Sequence, residues 1–395
     1  MNAGGSFRRL WLVDHLLRDG VGHHSGYNAA LAAAADRTGV APVVVGHRDA
    51  ARRSFPRFPT IPHFRTDWRS EPPGWIASDQ RLLAALEALS TRRFMKDLRC
   101  LPPHLGEADL VFAQMIAPRH LLAWVRWLDE RTVRPVLALH LGYQPWRFER
   151  PEVRAALQAL GTDAAHLLLV TDSEKLVGPF EKALGAPVHH LPHVVETEFT
   201  PATPSSGRRP TVFFAAGNAR REKGFADLLE ALILLAPRLS VGELVVRLQC
   251  HRPDSVSAGL LARTNVCAGV TLLEDGLREE NYNEDIAGAD VLLLPYHLDH
   301  YAMRTSGVFC EARCAGRPVI ATRGSWAGDR VERQGGGWII PEKNPQALAA
   351  AMAAACGPEL TAKSAEARAL QEHSRQEFSP DGFVASLLQI ANRNP

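Results

Sequence analysis

The stretch Thr211–Phe225 reads TVFFAAGNARREKGF. The apolar run at 211–215 predicts a buried β-strand, and a helical pattern begins at Phe225. Between them lies a loop with Gly217 and Gly224, the residue type that permits tight backbone turns. A strand, a glycine-bearing loop and a helix in this order are typical of a parallel α/β domain.

The same alternation of short apolar runs and helical patterns continues along all 395 residues. In the first half it predicts strands at Leu10–Val13, Pro42–Val45, Leu110–Ala113, Val136–Leu139 and Leu167–Val170, and helices at Tyr27–Arg37, Gln80–Leu89 and Arg119–Leu128. In the second half it predicts strands at Thr211–Ala215, Leu244–Leu248, Val270–Leu273, Val291–Leu294, Pro318–Ala321 and Trp338–Ile340, and helices at Phe225–Leu235, Glu279–Ala287, Val308–Cys314 and Pro345–Ala355. This rhythm predicts parallel sheets that are covered on both faces and joined by right-handed crossovers.

A polar segment rich in proline and glycine, Thr200–Pro210, interrupts this rhythm and is typical of a linker. It divides the chain into two doubly wound, Rossmann-like α/β domains, predicted at residues 1–205 and 206–377. Residues 378–395 form a separate amphipathic helix that we expect to pack back toward the first domain. Because ligands bind beyond the carboxyl ends of parallel strands, two such domains facing each other would form a binding cleft.

The bulk composition narrows the class of protein. The formal net charge is only +2, so no global charge points to nucleic acid. No apolar run reaches the roughly 18 residues of a membrane-spanning helix, and Asp14 and His15 interrupt the first run, which argues against a signal peptide. None of the six cysteines forms a C-x-x-C pair, so we interpret them as reduced packing residues of a cytoplasmic protein.

The loop that follows the strand at 211–215 carries three cations, Arg220, Arg221 and Lys223. They follow the end of a strand and lie next to the free N–H groups of a helix start. This combination suits a diphosphate. The alternative is a solvated helix start with ordinary surface cations.

A second helix start lies within the sequence RTSGVFCEA at 304–312. Thr305 or Ser306 can cap this helix, and Gly307 lets a ligand approach the backbone closely. Because the first N–H groups of a helix attract negative charge, we predict a second anion site here.

Glu311 lies a little over one helical turn after this start, on an otherwise apolar stretch. A carboxylate in that position can accept hydrogen bonds from both hydroxyls of a ribose. The alternative is a structural role, because a buried carboxylate needs a polar partner. The candidate partners are Arg304, Arg313 and Lys223.

Together these segments resemble the retaining glycosyltransferases of family 4, which have the two-domain GT-B fold. In that family a strand ends in Gly-Arg, and a Lys-Gly pair follows five residues on. Here Gly217-Asn218 and Lys223-Gly224 occupy these places. The resemblance implies that Lys223 binds the donor diphosphate and that Arg220 or Arg221 replaces the arginine of the family.

The family also has two glutamates separated by seven residues. Glu311-Ala312 and the run Gly316–Ile320 match the second glutamate and the segment that follows it. Met303 stands at the position of the first glutamate, which in the family helps to hold the transferred sugar. The candidates to replace it are Tyr301, Arg304 and Ser306, and the predicted nucleotide-sugar site is completed by Gly217, Asn218, Arg221, Thr305, Gly307 and Val308.

The first half of the chain resembles the family more loosely. Leu139–Gly142 is similar to the segment that carries a strand-end histidine near the reacting sugar, so we predict that His140 offers a neutral, hydrogen-bonding imidazole there. A structural role for His140 is the alternative. Residues 19–28 occupy the place of the glycine-rich first loop, and Gly22 is assigned to the donor site. Contacts with the acceptor are assigned to His23, His24, Trp146 and Arg147.

The stretch 47–69 interleaves six arginines with Phe55, Phe58, Phe64 and Trp68. Such a composition suits a phosphorylated lipid carrier or an anionic membrane surface, and in isolation it would also fit nucleic acid. The alternative is a long, proline-ordered acceptor loop. We expect no nucleic-acid partner. Peripheral contact with a membrane through residues 47–69 is a hypothesis.

These features predict a glycosyltransferase that moves a sugar from a nucleotide-sugar donor to a saccharide, lipid-linked or other acceptor, with the retention of configuration that the resemblance implies. We expect no metal and no separate cofactor, because cations and helix ends neutralise the phosphates. The predicted catalytic residues are His140, Lys223, Arg220 and Glu311. Two alternatives stay open: a sugar-nucleotide epimerase, which shares the fold, and a non-catalytic sugar-nucleotide-binding protein.

Overall fold

The computed structural model describes residues 7–18, 24–50, 58–65, 80–102, 104–196, 199, 210–217, 219–250, 258–261, 268–273 and 279–393. The chain divides into two compact units, one formed by Met1–Glu196 with Pro380–Pro395 and one formed by Thr197–Ser379. Several predicted features lie outside the described residues: Gly22, His23, Asn218, the segment 200–209 and much of the stretch 47–69.

The first unit is built on one parallel sheet. Its strands are β1 (Arg9–Val13), β2 (Ala41–His47), β3 (Thr60–Phe64), β4 (Asp109–Ala113), β5 (Val136–His140), β6 (Leu167–Thr171) and β7 (Val188–His190). Its helices are α1 (His24–Arg37), α2 (Gln80–Arg99), α3 (Pro118–Asp129), α4 (Pro151–Ala159) and α5 (Val177–Leu184). The strand order is β3-β2-β1-β4-β5-β6-β7, so the direction of winding reverses between β1 and β4. Such a reversal is where doubly wound sheets bind ligands.

Side chains of β1 alternate between the two faces of this sheet. Trp11 and Val13 join one apolar layer, while Leu10 and Leu12 join the other. All five residues of β5 are buried, as expected for a strand that is covered on both faces. The burial of both faces explains why these strands are continuous apolar runs in the sequence.

The last helix, α15 (Pro380–Arg393), belongs to the first unit. Its Phe383 ring packs edge-on against Phe112 of β4, with 5.3 Å between the ring centroids. Arg37 at the end of α1 pairs with Asp381 at 2.8 Å. The helix therefore covers one apolar layer of the first sheet, although more than 180 residues of the second unit precede it in the sequence.

The second unit repeats this architecture. Its strands are β8 (Thr211–Ala215), β9 (Leu244–Gln249), β10 (Val270–Leu273), β11 (Val291–Leu294), β12 (Val319–Thr322) and β13 (Gly337–Ile340). Its helices are α6 (Phe225–Leu234), α7 (Ala236–Ser240), α8 (Glu279–Gly288), α9 (Leu298–Tyr301), α10 (Gly307–Cys314), α11 (Trp326–Gln334), α12 (Pro345–Ala355), α13 (Glu359–Ala369) and α14 (Gln371–Glu377). The parallel order β10-β9-β8-β11-β12-β13 reverses between β8 and β11.

The α/β class and the predicted strands are confirmed, with boundaries that move by one or two residues. The pattern missed β3 and β7. Strand β3 contains Pro62, which has no N–H group and is tolerated because β3 lies at the sheet edge. Strand β7 spans only three residues, two of them histidines. Among the described residues, no helix is both long and apolar enough to cross a bilayer.

Candidate functional site

The loop between β8 and α6, residues 216–224, lies at the carboxyl edge of the second sheet. Gly217 has a φ of +90°, and a Cβ at this position would clash with the Nζ of Lys223. Gly224 has a φ of +65°, and a Cβ there would clash with the Pro295 carbonyl oxygen. Both positions therefore require glycine. Gly217 also donates its N–H to the Gln249 side chain at 2.5 Å, which fixes the loop to the end of β9.

Lys223 lies at the centre of a group of charges in this loop. Its Nζ is 5.7 Å from the centroid of the Tyr296 ring. The pKa of Lys223 is lowered to about 8, first by burial and then by the positive charges of Arg220 and Arg304. The carboxylate of Glu311 opposes that shift. Two arginines and a glutamate are therefore close enough to act on the ammonium group.

Arg220, rather than Arg221, is the loop arginine that acts on Lys223. Its guanidinium pairs with Glu222 at 3.1 Å, and its side chain stays half exposed. The side chain of Arg221 is exposed, and its carbonyl closes the turn by accepting the N–H of Gly224 at 2.9 Å. The sequence left the choice between the two arginines open, and the geometry favours Arg220 as the second cation.

The start of α10 supplies N–H groups to the same edge of the sheet. Ser306 is the residue that caps this helix, since its hydroxyl accepts the N–H of Phe309 at 3.2 Å. Among the described residues, no acceptor takes the N–H groups of Gly307 and Val308. These two donors are therefore available to an anion.

Glu311 lies half buried in α10 and has a partner that the sequence did not predict. The hydroxyl of Tyr282, in α8, donates to its carboxylate at 2.5 Å. Arg313, one of the candidate partners, points elsewhere: it donates to the Gly335 carbonyl at 2.7 Å and stacks over the Phe309 ring. The carboxylate thus accepts a hydrogen bond from a phenol and lies close enough to Lys223 to raise the pKa of its ammonium group.

Two of the residues considered for holding the sugar, Tyr301 and Arg304, lie beside aromatic rings. Tyr301 is buried, and its ring packs against Tyr296 with 4.3 Å between centroids. The Arg304 guanidinium lies 5.6 Å from the Tyr301 ring, next to these aromatics. Met303, by contrast, is 39% exposed. The sequence predicts a buried strand that ends before Tyr296 but assigns Tyr296 no role; its position as the second residue after β11 was the available signal.

In the first unit, His140 is the last residue of β5 and is almost completely buried. Burial lowers its pKa, His193 lowers it further, and Asp172 opposes them. The Nε2 atom has no hydrogen-bond partner among the described residues. His140 is therefore a neutral imidazole that can still donate or accept one hydrogen bond.

A buried hydrogen-bond network lies at the point where the winding of the first sheet reverses. Asp14 directly follows β1, and its carboxylate accepts from His24 Nδ1 at 2.8 Å and from Asn28 at 3.0 Å. Gln114, which directly follows β4, also donates to it. Burial would raise the pKa of Asp14, but the charge and hydrogen bond of His24 lower it below its ordinary value. The sequence predicted a role in the site for His24 but none for Asp14, whose carboxylate accepts the hydrogen bond of His24.

Trp146 and Arg147 lie on an exposed 3₁₀ turn, Pro145–Phe148, that follows β5. The Arg147 guanidinium is 5.4 Å from the ring of Tyr143. The structure thus places these two residues after the same strand that carries His140.

One group in the described part of the chain brings metal-ligating atoms within 4.8 Å of one another: His297, Asp299 and Glu342. The sequence did not predict this group, because Glu342 is distant along the chain from His297 and Asp299. All three already have partners, and Asp299 pairs with His300 at 3.0 Å. His297 Nε2 lies 2.7 Å from Asp227, and Glu342 accepts the N–H of Leu298 at 2.8 Å. These contacts give the group a structural role in fixing α9.

Comparisons with known proteins agree with this arrangement. Residues 209–357, most of the second unit, match the family described as glycosyl transferases group 1. No curated protein matches the sequence.

Several solved structures are similar over nearly the whole chain. HepE of Anabaena in complex with UDP is 16% identical, with a TM-score of 0.64, and 98% of this chain and 100% of that chain are covered. Sucrose-phosphate synthase from Thermosynechococcus elongatus is 16% identical, with a TM-score of 0.66 and coverages of 98% and 99%. The trehalose-6-phosphate protein from E. coli bound with UDP-2-fluoro glucose is 12% identical, with a TM-score of 0.71 and the same coverages.

These similarities establish the fold as two parallel-sheet, Rossmann-like domains of the GT-B type. The match of residues 209–357 to the group 1 glycosyl transferases indicates the class of enzyme. The chain is a glycosyltransferase of the GT-B fold, and residues 209–357 of its second unit match the group 1 glycosyl transferases.

Proposed function

We propose that this protein is a retaining glycosyltransferase of family 4 that transfers a sugar from a nucleoside-diphosphate sugar to a saccharide or lipid-linked acceptor. One observation carries the proposal: Lys223, Arg220 and Arg304 converge at the carboxyl edge of the second sheet, beside Glu311. Fixed cations at this edge suit a diphosphate, and a nearby carboxylate suits a ribose.

The roles of the donor-binding residues follow from this geometry. Lys223 and Arg220 stabilise the negative charge that develops on the diphosphate as the bond to the sugar breaks. The N–H groups of Gly307 and Val308 add two donors without adding charge. Glu311, held by the Tyr282 hydroxyl, accepts hydrogen bonds from the ribose hydroxyls. Because these groups neutralise the phosphates, the proposed reaction requires no divalent metal.

His140 is proposed to contact the transferred sugar. Its unpaired Nε2 and lowered pKa favour a neutral hydrogen-bonding group over a charged one. Met303 stands where the family has a glutamate, so recognition of the sugar is assigned to Tyr301, Arg304 and Ser306.

A uridine nucleotide is the first donor to test. HepE binds UDP, and the E. coli protein binds UDP-2-fluoro glucose. Both share the fold of this chain, which supports a UDP-sugar as the initial choice. We also propose a cytoplasmic location, because Cys314 is a buried free thiol. Residues 47–69 are proposed to contact a lipid-linked acceptor or a membrane.

Release of UDP from UDP-sugars in the presence of an acceptor mixture tests the proposal. We expect turnover by the wild type, loss of turnover in Lys223→Gln, and wild-type turnover in Lys96→Gln, a control at an exposed position of α2. Binding without UDP release would favour the non-catalytic alternative. Conversion of one UDP-sugar to another, without transfer, would favour the epimerase.

A further inference from the structure

A cavity of about 350 Å³ opens beside the exposed turn that follows β5. It is formed by the start of α3 and by the turn Pro145–Phe148 with the residues after it. The lining residues are Pro118, Arg119, Trp146, Arg147, Glu149 and Arg150. We call this cavity the arginine pocket.

The topology of the first sheet places the arginine pocket near His140. The segment before α3 follows β4, and the turn follows β5, and these two strands are neighbours in the sheet. The connecting loops are joined: the N–H of Ile116 donates to the His140 carbonyl at 2.8 Å, and Met115 packs directly on Gly142. The pocket therefore lies at the carboxyl edge of the same strands that position His140.

The chemistry of the pocket is cationic and aromatic. Trp146 is 68% exposed, so the face of its ring is available to stack on a ligand. The Arg147 guanidinium lies 6.0 Å from the centroid of the Trp146 ring. The Arg147 side chain is exposed, and among the described residues it forms no ion pair with a carboxylate. Three arginines face one glutamate in the lining, so the pocket has a positive charge.

We propose that the arginine pocket binds the acceptor and selects a saccharide that carries an anionic group, either a phosphate or a carboxylate. Trp146 stacks on the sugar ring, and Arg147 forms paired hydrogen bonds with the anionic group. This inference rests on the proposed function, since it names the acceptor of that reaction. The nucleotide-binding residues of the second unit take no part in it.

Calorimetric titration with single compounds tests the inference without relying on turnover. The probes are mannose 6-phosphate and glucuronate, with mannose and glucose as their neutral counterparts, each added to the full-length protein. We expect an anionic probe to bind at least ~10-fold more tightly than its neutral counterpart, because charge-assisted hydrogen bonds are the stronger class. The two anionic probes distinguish a phosphate from a carboxylate as the preferred group.

Three variants sharpen the test. Arg147→Gln should lower the affinity for the anionic probe by ~10-fold and leave the affinity for the neutral sugars unchanged. Trp146→Ala should lower the affinity for both kinds of probe. Arg93→Gln, at an exposed position of α2 outside the pocket, should bind like the wild type. Equal affinity for charged and neutral probes, or an Arg147→Gln variant that binds like the wild type, would overturn the inference.

A parallel titration with UDP separates this inference from the proposed function. If UDP binds and no anionic saccharide does, the arginine pocket is wrongly assigned and the donor site stands. If neither binds, both proposals fail. If the anionic saccharide binds and UDP does not, the pocket is supported and the donor assignment fails.

Discussion

The hydroxyl of Tyr282 donates a hydrogen bond to the carboxylate of Glu311 at 2.5 Å, and the same carboxylate acts on the charge of Lys223. The Tyr282 hydroxyl of α8 and the Lys223 ammonium of the loop after β8 thus both act on this carboxylate. Glu311 is therefore positioned beside the cation that is proposed to bind the diphosphate.

The first prediction concerns this carboxylate. Glu311→Gln keeps the shape and can still accept from Tyr282, but it loses the charge. We expect UDP affinity to fall by about 1–3 kcal/mol, the usual value for a charge-assisted hydrogen bond, with little change in the melting temperature of the empty protein. Tyr282→Phe is the matched variant and should lower stability by about 1 kcal/mol. A destabilised Glu311→Gln protein with unaltered UDP affinity would mean that Glu311 serves only the fold.

The second prediction concerns the close approach of Gly217 to Lys223. Gly217→Ala adds a methyl group where the Nζ of Lys223 lies and strains a φ of +90°. We expect a loss of about 1 kcal/mol in stability and a displaced ammonium group, with UDP binding ~10-fold weaker. Gly242→Ala is the control, because its φ is +67° and no atom lies within 4 Å of its added Cβ. Gly242→Ala should lower stability but leave UDP binding unchanged. An equal effect of both variants on UDP binding would refute a specific role for Gly217.

The third prediction concerns metals. Lys223, Arg220 and Arg304 supply positive charge where the phosphates are proposed to bind. Transfer activity should therefore persist in EDTA, measured as UDP release with and without the chelator. Activity that disappears in EDTA and returns only with magnesium or manganese would contradict this account and would direct attention to His297, Asp299 and Glu342.

The fourth prediction concerns His140. Replacement by alanine should lower kcat far more than UDP affinity, because His140 is proposed to face the sugar and not the diphosphate. Because His140 is buried, the alanine variant loses both a polar group and packing. His140→Asn should be measured beside it, since asparagine keeps a polar side chain. His373→Ala, at an exposed site, is the control. An equal loss of UDP binding would show that the residue is wrongly placed.

The fold could be predicted because its signal is local: buried parallel strands such as β5 are continuous apolar runs, and glycine marks the loop after β8. The positions of two charged residues of the candidate site are also indicated locally, since Lys223 lies just before one helix start and Glu311 a little over one turn after another. Their partners are not. Tyr282 meets Glu311, and Asp14 meets His24, only through side-chain packing between separate elements, which no sequence spacing encodes.

The measurement that tests the donor site most directly is UDP affinity as a function of pH in the wild type and in Lys223→Gln, with Lys96→Gln as control. The pKa of Lys223 in the empty protein is lowered to about 8, and a bound diphosphate would raise it. Lys223 is therefore protonated at pH 7. Above pH 8 it is mostly neutral, so it must take up a proton when the diphosphate binds. Wild-type affinity should hold near pH 7 and fall by up to about tenfold per pH unit above pH 8. Lys223→Gln should bind ~10- to 100-fold more weakly at pH 7 and show no such fall. A wild-type affinity that stays constant to pH 9, or the same fall in Lys223→Gln, would contradict the assignment of Lys223 to the diphosphate.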